Sequence, residues 1–273
     1  MAPAQITLIG CGKMGSAMLE GWLADSSLDA KFTIIEPDAA HLAWLEAEPR
    51  AQHFTDCAAA IAAKVPPSTI AVLAVKPQMM EEALAAMGEI AQNAQAFLSI
   101  AAGIPSRWLQ ARLGANSVIL RAMPNTPAAI RQGITALYGG NADTETVALA
   151  AQLLRAVGTV VSLEDESLMD AVTAVSGSGP AYLFLLAEAL SAAGEDAGLP
   201  AALSRQLAEA TISGAGALMA ASETPPATLR ENVTSKGGTT AAALAVLMAE
   251  DGLAPLMRRA VAAAKARSIE LGN

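Results

Sequence analysis

Gln5-Ile6-Thr7-Leu8-Ile9, then Gly10-Cys11-Gly12-Lys13-Met14-Gly15, then helical spacing at Ala17, Met18, Gly21 and Trp22 constrain this chain more than any other stretch. A strand, a G-x-G-x-x-G turn and a helix in that order form the context of a dinucleotide fingerprint. Gly10 makes the tight turn, Gly12 lets a pyrophosphate approach the backbone, and Gly15 lets helix and strand pack closely. The helix start then faces the phosphates with unpaired N–H groups. A second strand, residues 32–35, ends at Glu36, where an acidic side chain hydrogen-bonds an adenosine ribose. Glu36 with Asp38 beside it, and no arginine following closely, opposes a 2′-phosphate, so the residues lean toward NADH over NADPH.

The alternation continues. Residues 69–75, 97–101, 117–121, 133–138 and 159–163 read as strands, and the first of these is apolar without alternation, as a buried parallel strand is. Helices are expected at 39–48 (opened by Pro37 and capped by Asp38), 58–63, 78–91, 105–113 and 145–157. The result is an α/β, doubly wound (Rossmann-type) domain over residues 1–164. Ligands bind outside the carboxyl ends of such strands. The turn at 10–15, Ala74-Val75-Lys76-Pro77, Ala102-Gly103 and Met123-Pro124-Asn125-Thr126-Pro127 should therefore line one crevice. Lys76 reads as a solvated lysine beside a helix start, and Asn125 and Thr126 as polar contacts held between prolines.

Beyond Asp165 strand signals vanish, and residues 165–273 read as an all-α domain. Helices are expected at 168–175, 182–197, 201–221, 227–232, 241–249 and 253–271. Ser176-Gly177-Ser178-Gly179-Pro180 reads as an active-site loop opening into a long apolar helix. Gly214 and Gly216, costly in a helix interior, suit close helix contact. These helices are apolar around too much of their circumference for an isolated domain, so a dimer through them is expected. Asn232-Val233-Thr234-Ser235-Lys236-Gly237-Gly238-Thr239-Thr240 places hydroxyls and two glycines at a helix mouth, where backbone N–H groups converge on a small anion.

Composition narrows the classes. A net charge of −9 with no lysine or arginine cluster disfavours nucleic acid as a partner. No window offers the roughly 18 consecutive apolar residues of a membrane span. The N-terminus has no signal-peptide pattern, so a cytoplasmic location is expected. Cys11 and Cys57 read as free thiols, His41 and His53 as structural or surface residues, Glu166 and Asp170 as solvated charges, and no metal site can be assembled at sensible spacing.

The ordered set of residues 10–15, Ala74-Val75-Lys76-Pro77-Gln78, 123–127, Ser176 to Tyr182 and 232–240 resembles pyrroline-5-carboxylate reductase over essentially the whole chain. The resemblance implies hydride transfer from NADPH or NADH to the C=N carbon of 1-pyrroline-5-carboxylate, giving L-proline. It places the substrate carboxylate on the loop of Ser235, Lys236, Gly237, Gly238, Thr239 and Thr240, and puts the Thr240 hydroxyl, the catalytic candidate, beside the imine nitrogen. It further implies homodimers through the helical domain, decamers in some members, and sites built from two subunits. Glu36-Pro37-Asp38 departs from the small polar and basic residues that many NADPH-favouring members carry there.

Overall fold

The computed structural model describes residues 2–38, 40 and 42–272. It divides into two compact units, Met1–Gly177 with Ala264–Asn273, and Ser178–Ala263.

The first unit holds an eight-stranded sheet. Its strands are β1 (Ala4–Ile9), β2 (Ala30–Ile35), β3 (Ala51–Phe54), β4 (Ile70–Leu73), β5 (Ala96–Ser99), β6 (Ile119–Met123), β7 (Gly133–Tyr138) and β8 (Gly158–Leu163), in the order β3-β2-β1-β4-β5-β6-β7-β8. The first six run parallel, β7 is antiparallel to β6, and β8 is parallel to β7. Helices α1 (Lys13–Ala24), α2 (Cys57–Ala62), α3 (Met80–Ala86), α4 (Glu89–Asn93), α5 (Ser106–Leu113) and α6 (Thr144–Arg155) accompany the strands, and α7 (Met169–Val172) follows β8. Successive side chains of a strand point to opposite faces. Leu8, Val72 and Leu98 accordingly join one buried cluster, with Trp22 and Leu153, while Ile9, Leu73 and Phe97 join another with Met80 and Leu109. Cover on both faces is what gives β4 its unbroken apolar sequence. Trp22 ties the first cluster together: it stacks on Phe32 at 5.5 Å, and its Nε1–H donates to the Leu153 carbonyl at 2.8 Å.

The structure departs from the sequence expectations in several places. The expected helix 39–48 is, in its described part, only a 3₁₀ turn (Ala43–Ala47). His41 lies outside the described residues. The strand that follows, β3, has no counterpart among the expected runs, so His53 sits in the sheet rather than at a helix exit. The expected helix 78–91 breaks into a 3₁₀ turn, α3 and α4 at Gly88, whose φ is +51°. The expected loop at 176–180 is in part a π-helical turn, Thr173–Gly177, so the polypeptide coils through that region instead of looping out. The compact first unit extends to Gly177 and takes in the end of the chain.

The second unit consists of α8 (Gly179–Asp196), α9 (Ala201–Ala220), α10 (Pro226–Asn232), α11 (Thr239–Leu247) and the first part of α12 (Leu253–Leu271). Helices α8 and α9 pack closely where the Ser204 hydroxyl donates to the Ser191 carbonyl at 2.6 Å. Within residues 178–263 only Ser204 and Ala208 are buried. Leu183, Phe184, Leu185, Leu207, Leu218 and Val246 are all exposed. Gly214 and Gly216, expected at close contacts, have nothing within 4 Å of where a Cβ would stand. Among the described residues no helix is long and apolar enough to cross a membrane.

Candidate active site

The glycine turn has the geometry its sequence demands. Gly10 has φ +88°, and a Cβ there would stand 2.8 Å from Val75 Cγ1; a Cβ on Gly15 would stand 2.5 Å from the Gly10 carbonyl oxygen. Neither position tolerates a side chain without movement. Gly12 is different: nothing lies within 4 Å of its would-be Cβ, and it is exposed at the N-cap of α1. That open face, with the first N–H groups of α1 behind it, is shaped for a pyrophosphate. Lys13 is exposed at the helix start, and Met14 packs partly against the core.

Glu36 reaches across from β2 to this turn. Its Oε2 accepts the Cys11 N–H at 2.6 Å, and its Oε1 accepts the Asp38 N–H at 3.0 Å. The His53 ring nitrogen Nε2 lies 2.8 Å from the Glu36 carbonyl. A carboxylate held by two backbone donors still has lone pairs for ribose hydroxyls. The Cys11 side chain, by contrast, is buried beside Ser16, and burial pushes its thiol up to about 11. Cys11 therefore serves the site through its N–H.

The other strand exits are arranged beside this turn. Ala74 and Val75 contact Gly10 directly, while Lys76 is exposed and its carbonyl accepts the Met79 N–H at 2.9 Å. At the β6 exit, Asn125 Oδ1 accepts the Ile134 N–H at 3.0 Å and Nδ2 lies 3.5 Å from Ser176 Oγ. This links two motifs that the sequence had offered separately. Thr126 is exposed at the head of a 3₁₀ turn. Ala102 and Gly103 leave β5, but Gly103 is covered by the end of the chain.

Sequence reasoning missed the Arg121, Glu166 and Ser106 cluster. Arg121, on β6 and buried, pairs with Glu166 Oε1 at 2.8 Å, which also accepts the Ser106 N–H at 2.7 Å and hydroxyl at 3.0 Å. Burial would raise the Glu166 carboxyl, but the Ser106 N–H and the Arg121 guanidinium outweigh it and hold the carboxyl below the usual range. Glu166 is thus neither a solvated charge nor an acid. Asp170, the other expected solvated charge, accepts the Ser268 hydroxyl at 2.6 Å. A cavity of about 220 Å³ beside Ile61, Lys64, Val65 and Pro66 lies at the amino end of β4, opposite to the strand exits.

In the second unit, residues 233–238 form the loop before α11. Gly237 has φ +73°, the Gly238 N–H donates to the Ser235 carbonyl at 3.0 Å, and no side chain caps α11. The first intrahelical donor is the Ala242 N–H, to the Gly238 carbonyl. The N–H groups of Thr239, Thr240 and Ala241 consequently point out of the helix mouth without intrahelical partners. Ser235, Lys236 and Gly237 are exposed around them.

A doubly wound sheet with a phosphate-shaped glycine turn, a fixed acidic residue after β2 and an appended helical unit defines a dinucleotide-dependent oxidoreductase of two-domain plan. Residues 5–103 match a family described as NADP oxidoreductase, coenzyme F420-dependent, and residues 166–271 match pyrroline-5-carboxylate reductase dimerisation. The chain belongs to the pyrroline-5-carboxylate reductase family. It is 40% identical to the pyrroline-5-carboxylate reductase of Pseudomonas aeruginosa, over 100% of this chain and 98% of that one. Among solved structures it is similar to the Coxiella burnetii enzyme (TM-score 0.87, 32% identity, 99% of each chain covered). It is also similar to the Plasmodium falciparum enzyme with NADP bound (TM-score 0.81, 27% identity, 100% of each chain).

Proposed function

We propose that this chain reduces 1-pyrroline-5-carboxylate to L-proline in the cytoplasm, as the last step of proline biosynthesis, and does so as a homodimer. The observation that carries the reading is the presence in one chain of two complementary anion sites. One is the Gly10–Gly15 turn braced by Glu36; the other is the helix mouth at Gly237, Gly238, Thr239 and Thr240. Full-length similarity to named reductases supports the pairing.

The glycine turn and α1 hold the pyrophosphate, Glu36 the adenosine ribose, and the exits at Ala74–Pro77, Ala102, Asn125 and Thr126 face the nicotinamide end. When bound, the reduced nicotinamide supplies the hydride. A protonated cyclic imine is already electrophilic, so the protein's task is orientation more than acid catalysis. The loop of Ser235, Lys236, Gly237 and Gly238 and the N–H groups of Thr239 and Thr240 hold the carboxylate, and the Thr240 hydroxyl hydrogen-bonds beside the ring nitrogen. Homodimerisation follows from the apolar residues that α8, α9 and α11 leave exposed. Turnover of 1-pyrroline-5-carboxylate with NADH and NADPH tests the assignment. Thr240→Ala should lower kcat/KM roughly 10- to 100-fold while cofactor binding persists. Turnover of a 3-hydroxyacid with none of pyrroline-5-carboxylate overturns it.

A further inference from the structure

The turn that leaves β5 is held from both sides by one short segment. Glu166 grips the first residue of α5 through the Ser106 N–H and hydroxyl, and fixes β6 through Arg121. One helical turn further on, Asp170 Oδ1 accepts the hydroxyl of Ser268, a residue 2% exposed on the last part of α12. That bond joins residues 98 apart in sequence, and it docks the end of the chain under the β5 exit. The docking leaves no slack. Gly103 has φ +77°, and a Cβ there would stand 2.7 Å from the Ser268 carbonyl oxygen and 2.8 Å from Leu271 Cβ. A Cβ on Gly272 would run into the Gly103 carbonyl, with Pro105 Cδ at 3.3 Å. Glycine stands on both sides of the contact, so its distance is set by backbone against backbone.

We propose that Asp170 and Ser268 are positioning residues for hydride transfer: by docking the last turn of α12 against Gly103 they set where the neighbouring Ala102 stands beside the nicotinamide end of the cofactor. This rests on the reductase reading, in which the β5 exit lines the crevice at the carboxyl ends of the strands. The adenosine end is held elsewhere, by the turn at 10–15 and Glu36, so the two ends of the cofactor should respond separately. A displacement of about 1 Å at the reacting centre costs on the order of 100-fold in rate, so loss of one tether is enough to register.

The test compares Ser268→Ala and Asp170→Ala, which remove the bond, with Asp170→Asn, which keeps an oxygen acceptor for the Ser268 hydroxyl. Calorimetry gives Kd for NADH and for ADP-ribose, a probe that lacks only the nicotinamide ring; steady-state assays give kcat and KM. Both alanine variants should lower kcat about tenfold and weaken NADH about fivefold, with ADP-ribose within about twofold of the parent and Asp170→Asn restored to within about twofold. Parent-like kcat and NADH affinity in the alanine variants would overturn the proposal. So would ADP-ribose affinity that falls in step with NADH, the mark of general loosening. If the parent protein has no reductase activity, the reading of function fails, and the NADH and ADP-ribose affinities still decide the role of the tether.

Discussion

Glu36 should make NADH the better cofactor, and the margin can be worked from its surroundings. The carboxylate is fixed by the Cys11 and Asp38 N–H groups at the place proposed to recognise the adenosine ribose. A 2′-phosphate there carries a charge of about −2 and would stand roughly 5 Å from the carboxylate. With an effective dielectric constant of about 60, between water and a protein surface, the repulsion is about 2 kcal/mol. Loss of the charge-assisted bond to the 2′-hydroxyl adds about 1.5 kcal/mol. Together these place kcat/KM for NADH roughly 30- to 400-fold above that for NADPH. Steady-state kinetics with both cofactors measure this, and calorimetry with ADP-ribose and its 2′-phosphate form measures it without turnover. Glu36→Ser should bring the two cofactors to within about tenfold of each other. Added salt should narrow the gap in the parent but not in the variant, because only the parent gap is coulombic. Parent kcat/KM for NADPH equal to or above that for NADH would refute the reasoning.

The two exposed and buried glycines of the turn should separate stability from binding. Gly15→Ala puts a Cβ 2.5 Å from the Gly10 carbonyl and should lower Tm by about 4–8 °C, whereas Gly12→Ala should leave Tm within about 1 °C and weaken ADP-ribose at least tenfold. The depressed Glu166 carboxyl gives stability that is fully present above the unfolded-state value and is lost as pH falls through the lower folded-state one. Glu166→Gln should therefore be less stable than the parent near pH 7, and its Tm should fall less than the parent's between about pH 6 and about pH 3.5. Phe184→Asp, on the exposed side of α8, should disrupt self-association, read by analytical ultracentrifugation.

What could be read in the sequence was whatever is local. The turn at Gly10 and the acidic strand end at Glu36 lie within one βαβ unit, and the loop before α11 declares itself by hydroxyls and glycines in a row. The strand β3 gave no such signal: Ala51-Gln52-His53-Phe54 holds no β-branched residue and owes its extended form to pairing with β2. Arg121 and Glu166 are 45 residues apart, and nothing in either neighbourhood announces the other. Ser176 to Pro180 read as a break because glycine and proline usually make one. A π turn instead absorbs Ser176 and Gly177, with the Thr173 hydroxyl donating to the Met169 carbonyl at 2.9 Å, and α8 already begins at Gly179. The cover over Gly103 is invisible without knowing where the last helix ends.

The helical unit also bears on how this protein behaves in a cell that makes two versions of it. Residues 178–263 bury only Ser204 and Ala208, so they have almost no interior of their own. In the proposed homodimer their folding would be tied to self-association, favoured by abundance and opposed by dilution. A substitution on those helices acts on every pair its bearer joins: in an equal mixture of sound and damaged chains, three pairs in about four contain a damaged member. Harm that leaves pairing intact would thus reach the sound partners, whereas harm that abolishes pairing would stay with the chain that carries it.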